Sequence, residues 1–290
     1  MSAGTATATA ASTAELANAR LSVGGVLRSE WVKLRTLRST AWCLAVVAVL
    51  IAALPPLISL ILPPAQDVGA TVPEVAAYNW AQASTIAVGF GVLVVGVLGC
   101  LVITGEYSTG MIRSTMTAVP RRIPALLSKA LVTGLMVLVV TLVALVIGVV
   151  TSGLVLGAKD YAIEWGDGTV WWAALAAAGY LALIAVFSVG VGGIVRNSAG
   201  AIAIVLGLLL VVPTILQLAA GLTGATWPLD IGAFLPSSLG SSMYTPAAPS
   251  AQAFTPDWIV LEAWQASLVM VGWAVVAVGL AGVLLRRRDV

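Results

Sequence analysis

Six long runs, at about 41–62, 84–104, 130–156, 171–195, 199–221 and 263–285, contain no Asp, Glu, Lys or Arg. A helix needs about 20 predominantly apolar residues to cross about 30 Å of hydrocarbon, so each run suffices for one crossing. The fourth and fifth runs are separated only by Arg196-Asn197-Ser198. A single helix through both would extend about 75 Å, so a tight turn is expected there. Apolar residues make up 60% of the chain and charged residues 9%, with a mean hydropathy of +1.06. Soluble domains carry about 45–50% and about 25% respectively, so this chain lacks the charge to cover a water-facing surface. The expected fold class is an all-α integral membrane protein with six transmembrane helices.

Orientation follows from the cations. Five precede the first run (Arg20, Arg28, Lys33, Arg35, Arg38) and four lie between the second and third (Arg113, Arg121, Arg122, Lys129). Arg196 and Arg286, Arg287 and Arg288 bring the total on that side to 13, against Lys159 alone on the other. The acidic residues divide four (Glu15, Glu30, Glu106, Asp289) to eight in the opposite sense. By the positive-inside rule both termini are expected in the cytoplasm, with outer loops at about 63–83, 157–170 and 222–262.

The same inventory narrows the chemistry. The chain has no His, and its two cysteines, Cys43 and Cys100, lie inside apolar runs. No catalytic set and no metal site is therefore expected. The three lysines follow Val32, Ser128 and Ala158, never Gly, so no phosphate-binding loop of the Gly-Lys-Ser/Thr kind is present. No ionisable residue falls in a run, which disfavours proton or sodium coupling through a buried carboxylate. If transport is ATP-driven, the ATPase is a separate polypeptide.

Residues 1–20 are rich in Ala, Thr and Ser and read as a disordered cytoplasmic tail; 21–290 read as a single membrane domain. In 21–40, Val23, Val26, Leu27, Trp31, Leu34 and Leu37 share an arc of a helical wheel, with Arg28, Arg35 and Arg38 beside or opposite. An amphipathic helix in the membrane interface is expected. Glu30 falls inside the apolar arc, where it pairs with Lys33 one turn on or with a cation from another element. The connection between the second and third runs reads as a short helix over about 107–118, with Met111, Ile112, Met116 and Val119 on its apolar side and Pro120 ending it. Two readings are open: a lever docking on a soluble partner with Arg113 as charged anchor, or an interfacial loop whose arginines only set orientation. Residues 222–262 hold five prolines, and short helices dipping into the outer leaflet are expected around Phe234, Leu235 and Pro236, with Trp227, Phe234, Leu235, Leu239 and Tyr244 buried. Pro55-Pro56 and Pro213 should kink the first and fifth spans. Gly89, Gly91, Gly96 and Gly99 should allow close helix packing, within the chain or across a dimer. Trp171, Trp172, Trp258 and Trp264 read as interfacial anchors.

SEWVKLRTLRSTAW (29–42) and ITGEYSTGMIRSTMTAVPRR (103–122) resemble the permease subunits of ABC-2 type transporters, particularly actinobacterial ones. Glu106-Tyr-Ser-Thr-Gly110 matches the family's Glu-x-x-x-Gly pattern, supported by Ile112-Arg113 and Pro120-Arg121-Arg122. The resemblance runs the length of the chain. It implies a half-transporter of the bacterial plasma membrane: two permease chains, as a homo- or heterodimer, with two ATP-binding subunits that use ATP and Mg. Residues 105–122 would hold the coupling helix, with Glu106, Gly110, Met111, Ile112, Arg113, Pro120 and Arg121 as coupling residues. Glu30, Trp31, Lys33, Arg35 and Arg38 would belong to the connecting helix, Glu30 pairing with a basic residue of the coupling segment such as Arg113. Phe234, Leu235 and Pro236 would lie in the re-entrant outer helices. This chain would bind no cofactor itself, contact membrane lipid and take no nucleic acid. The expected path lies along uncharged surfaces of spans one, two and five at the chain–chain interface. The alternative is a non-transporting membrane anchor that docks a soluble partner.

Overall fold

The computed structural model describes residues 23–111, 122–249 and 257–287; the tail 1–20 and Ile112, Arg113, Pro120 and Arg121 lie outside them. All regular structure among the described residues is helical. An amphipathic α1 (Val23–Thr36) leads into the first span, α2 (Arg38–Ile61). The second span is a pair, α3 (Pro73–Thr85) and α4 (Val88–Ser108), joined through Ile86 and Ala87. Spans three and four are α5 (Arg122–Gly157) and α6 (Gly168–Val195). Span five comprises α7 (Ser198–Leu206), a π-helical stretch (Gly207–Val211) and α8 (Val212–Thr223). Two short helices, α9 (Trp227–Ala233) and α10 (Pro236–Tyr244), precede the sixth span, α11 (Ala263–Arg287). All six expected spans are present as helices long and apolar enough to cross a membrane.

Several helices outrun their expected limits, and the extra turns carry charge. Glu106 belongs to α4, and Lys129 stands almost two turns inside α5. A search for uncharged runs stops short of both residues. Tyr107, expected to open a separate helix, is instead the penultimate residue of α4. Arg196 caps α6 in the left-handed conformation (φ 59°), and Asn197 caps α7 through its side chain, which accepts from the Gly200 amide at 3.0 Å. The expected tight turn is built from these two residues.

Span four is the hub, packing against α3, α4, α5, α7, α10 and α11. Lipid tails are as apolar as leucine, so helices associate here by close packing rather than by escape from water. The hub supplies small residues for this purpose. A Cβ on Gly190 would lie 2.7 Å from the Ala277 carbonyl carbon of α11, and one on Gly99 of α4 would lie 2.6 Å from the Cβ of Ser188. Gly91 and Gly96 pack on Ile51 and Val205, so these span-two contacts lie within the chain, whereas Gly89 faces open space. Spans two and four are 61% and 67% buried, against 28% and 22% for spans one and five, which flank span two.

The prolines act as expected on the fifth span. Pro213 has no N–H to give its helix, and the preceding turn widens to the π form at Gly207–Val211. In α2, Pro55 leaves the Ile51 carbonyl without its helical donor; that oxygen instead faces Gly148, where a Cβ would come within 2.8 Å.

At the end opposite the arginines, Lys159 donates to the carbonyls of Leu60 and Leu62 at 2.6 Å each, capping the carboxyl end of α2. The α9–α10 turn reaches inward from that end. The Phe234 carbonyl accepts from Trp273 Nε1 at 3.0 Å, and Trp273 stands about 15 Å along α11 from its start. Leu235, Pro236 and Leu239 are buried, and Gly240 lies flat on the Tyr180 ring. Trp227 and Phe234, expected to be buried, are exposed on the outer side of this hairpin. Trp172 and Trp264 are exposed near the same end, as anchors would be.

Candidate coupling site at the arginine-rich end

Helix α1 does not present its whole apolar arc to the protein. Leu34 is buried and Val26 and Leu27 half-buried, while Trp31 and Leu37 remain exposed. Arg28, Arg35 and Arg38 are exposed, with the Arg35 guanidinium 5.8 Å above the Trp31 ring. Between the two sets lies Glu30, only 2% exposed.

Its burial is compensated by a ring of alternating charges. Glu30 Oε1 accepts from Lys33 Nζ at 2.8 Å, and Glu30 Oε2 from Lys129 Nζ at 2.6 Å. The same two ammonium groups converge on Glu106 Oε1, Lys33 at 3.1 Å and Lys129 at 2.8 Å. Two carboxylates and two ammonium groups sum to zero, so the ring adds no net charge beside the membrane domain. The cation from another element is thus Lys129 of α5, whereas Arg113 lies outside the described residues.

Burial raises the Glu30 pKa, but the charge and hydrogen bond of Lys129, then those of Lys33, outweigh it and hold the carboxyl below its ordinary 4.5. For Lys33 burial lowers the pKa, and the Glu30 and Glu106 carboxylates reverse this to place it above 10.5. Both groups are therefore held in their charged forms. Oε2 of Glu106 is buried without a hydrogen-bond partner among the described residues.

Neighbouring residues of α4 tie further elements to this end. Thr104 Oγ1 accepts from Ser198 Oγ at 2.9 Å, reaching span five. Tyr107 lies under the Arg196 guanidinium at 5.3 Å, and Arg196 also donates to the Leu284 carbonyl of span six at 3.5 Å. Two residues beyond α4, Gly110 adopts φ 72°, a left-handed conformation that ends helices and favours glycine. The four-residue interval from Glu106 to Gly110 thus has a local meaning: one places a carboxylate in the ring, the other stops the helix one turn later. Met111 is half-buried and is the last residue described on this side.

Lys129 was counted in the sequence only as an orienting cation. Its signal was the setting, a lysine bracketed by Ala125, Leu126, Ala130 and Leu131, which makes it the single cation on an apolar helical turn. Arg196 likewise joins three spans, a role its sequence position did not disclose. Of the expected site residues, Glu30, Lys33 and Glu106 meet in one ring, Gly110 lies one turn beyond, and Phe234, Leu235 and Pro236 lie towards the far end.

A family model described as ABC-2 family transporter protein matches residues 25–290. The comparison with curated proteins returns no match. The matched span includes the ring, all six candidate spans and the α9–α10 hairpin, and supports a transport component that is not itself the ATPase and associates with an ATP-binding subunit. The chain belongs to the ABC-2 transporter family, as a multi-pass membrane permease subunit.

Proposed function

We propose that two such permease chains pair in a bacterial plasma membrane, arginine-rich end in the cytoplasm, and export cargo when two separate subunits bind ATP with Mg and hydrolyse it. The observation that carries this reading is the charge ring. It clamps α1 to the ends of α4 and α5, the two helices between which residues 112–121 run. A push on that connection by an ATPase reaches spans two and three together, because Glu106 and Lys129 are held by the same partners. Met111, Ile112 and Arg113 would touch the ATPase, with Pro120 and Arg121 leading back to span three.

The cargo surface lies on span two between spans one and five. Phe90, Val94, Val97, Leu101 and Gly105 recur at helical spacing and remain wholly or partly exposed on an otherwise buried helix. Towards the outer end a hollow of about 490 Å³ is bordered by Asn79, Gln82, Thr85 and Tyr244. Uncharged, mixed apolar and hydrogen-bonding walls suit an amphiphilic, lipid-like, peptide or drug-like cargo better than a small ion.

Purification of the tagged full chain in mild detergent, with mass spectrometry of what accompanies it, tests the proposal. A Walker-motif ATPase should come along in near-equal amount, and Arg113→Glu should release it while leaving the ring intact. Purification alone, or with a partner that is no ATPase, would refute the export reading.

A further inference from the structure

An open groove of about 500 Å³ runs between α5 and α11, floored in part by α6. Its floor includes the buried Leu126, Ala130, Ala274 and Gly282, and its walls are the exposed Leu127 and Leu131 on one side and Val275 and Val283 on the other. Gly279 deepens it, since a Cβ there would meet nothing within 4 Å. Along α11 the lining runs from Val271 to Arg286, about 22 Å of helix, against about 15 Å for the hydrocarbon of one leaflet. Every lining residue is apolar except Arg286, at the arginine-rich mouth. Arg286 is exposed and takes part in none of the four ion pairs among the described residues.

A groove of this make-up faces the bilayer, and its occupant must be apolar along its length and anionic at one end. We infer that it is a binding site for an anionic phospholipid, one acyl chain lying over Gly279 and the phosphate paired with Arg286. Guanidinium binds phosphate with two parallel hydrogen bonds, and a basic residue at a leaflet surface selects acidic headgroups. A phospholipid supplies in one molecule both the apolar length that the groove takes and the anion that Arg286 takes. The site is separate from the charge ring and from the cargo surface, so it stands or falls independently of the export reading.

The test is native mass spectrometry of the purified full chain, titrated with phosphatidylglycerol or phosphatidylcholine of identical acyl chains. The wild type should retain phosphatidylglycerol about fivefold better, the preference one surface cation supplies. Arg286→Gln should abolish that preference, whereas Arg28→Gln, an exposed arginine on α1, should leave it unchanged. Gly279→Leu should reduce retention of both lipids about tenfold, equivalent to displacing roughly two methylenes. R286Q alters an exposed helix end without touching the packing, so it carries the test even if G279L fails to fold. Equal retention of the two lipids by the wild type, an equal loss of preference in R28Q and R286Q, or full retention by a folded G279L would each overturn the inference.

Discussion

Replacing Lys129 with Met keeps an unbranched side chain, one atom shorter and uncharged, and removes two of the four contacts in the ring. Among the described residues Glu30 Oε2 then has no donor, and Glu106 keeps only Lys33, at 3.1 Å. Lys33 cannot make good the loss, because it already serves both carboxylates and its side chain is 27% exposed. Removing one partner from a buried ion pair costs about 3–5 kcal/mol, and the partial hydration of Lys33 argues for about 3 kcal/mol here. Glu30→Gln should cost a similar amount, since it leaves two ammonium groups facing one carboxylate. The double variant restores neutrality, with Glu106 and Lys33 still paired. Its destabilisation should fall short of the sum of the single values by about 2 kcal/mol. Equilibrium unfolding of the purified chain in mixed detergent micelles with increasing sodium dodecyl sulfate measures all three. If the two changes add to within about 0.5 kcal/mol, the residues are not coupled and the ring is not the joint described above.

Two further outcomes follow from the same structure. The Glu30 contribution is complete above 4.5 and lost as pH falls through its lower folded value, and the Lys33 contribution is complete below 10.5 and lost as pH rises through its higher folded value. Stability attributable to these two groups should therefore be flat between those limits, and Glu30→Gln should reduce the acid limb in a pH series of the same unfolding assay. In the packing of span two, Gly99→Val should destabilise by at least about 3 kcal/mol, because its Cβ would press on Ser188 and on the Ala185 carbonyl at 2.7 Å. Gly89→Val should stay within about 0.5 kcal/mol, since nothing lies within 4 Å of a Cβ there; equal effects in the unfolding assay would refute the packing assignment.

The number of crossings, the tight turn at Arg196 and the irregular helix at Pro213 were legible because each depends on chain-local physics. Apolar length decides whether a segment can span, a missing N–H decides where a helix must deform, and the bias of arginine sets an expected orientation. Glu30 was legible as a carboxylate inside an apolar arc that needs a cation, and its pairing with Lys33 one turn on was readable, but not that Lys129 would be the second partner. Helix ends were read less well, because uncharged runs were used to mark them while the helices continue through Glu106 and Lys129. Trp227 and Phe234 show the same limit from the other side: an aromatic in a Pro-rich loop looks buried, yet the hairpin turns both outward.

By itself the sequence determined that this chain is a bundle of six membrane helices with one arginine-rich end and an amphipathic helix before the first span. Tertiary structure decided which charges meet. Glu30 and Lys129 are 99 positions apart, and their contact at 2.6 Å exists only because α1 lies across the start of α5. It decided equally that Gly91, Gly96 and Gly99 of span two pack within their own chain, and that a groove remains between α5 and α11. Helix propensity and hydropathy act over neighbouring residues. The energy of a buried charge depends on what surrounds it in space, and that is settled only when the helices pack.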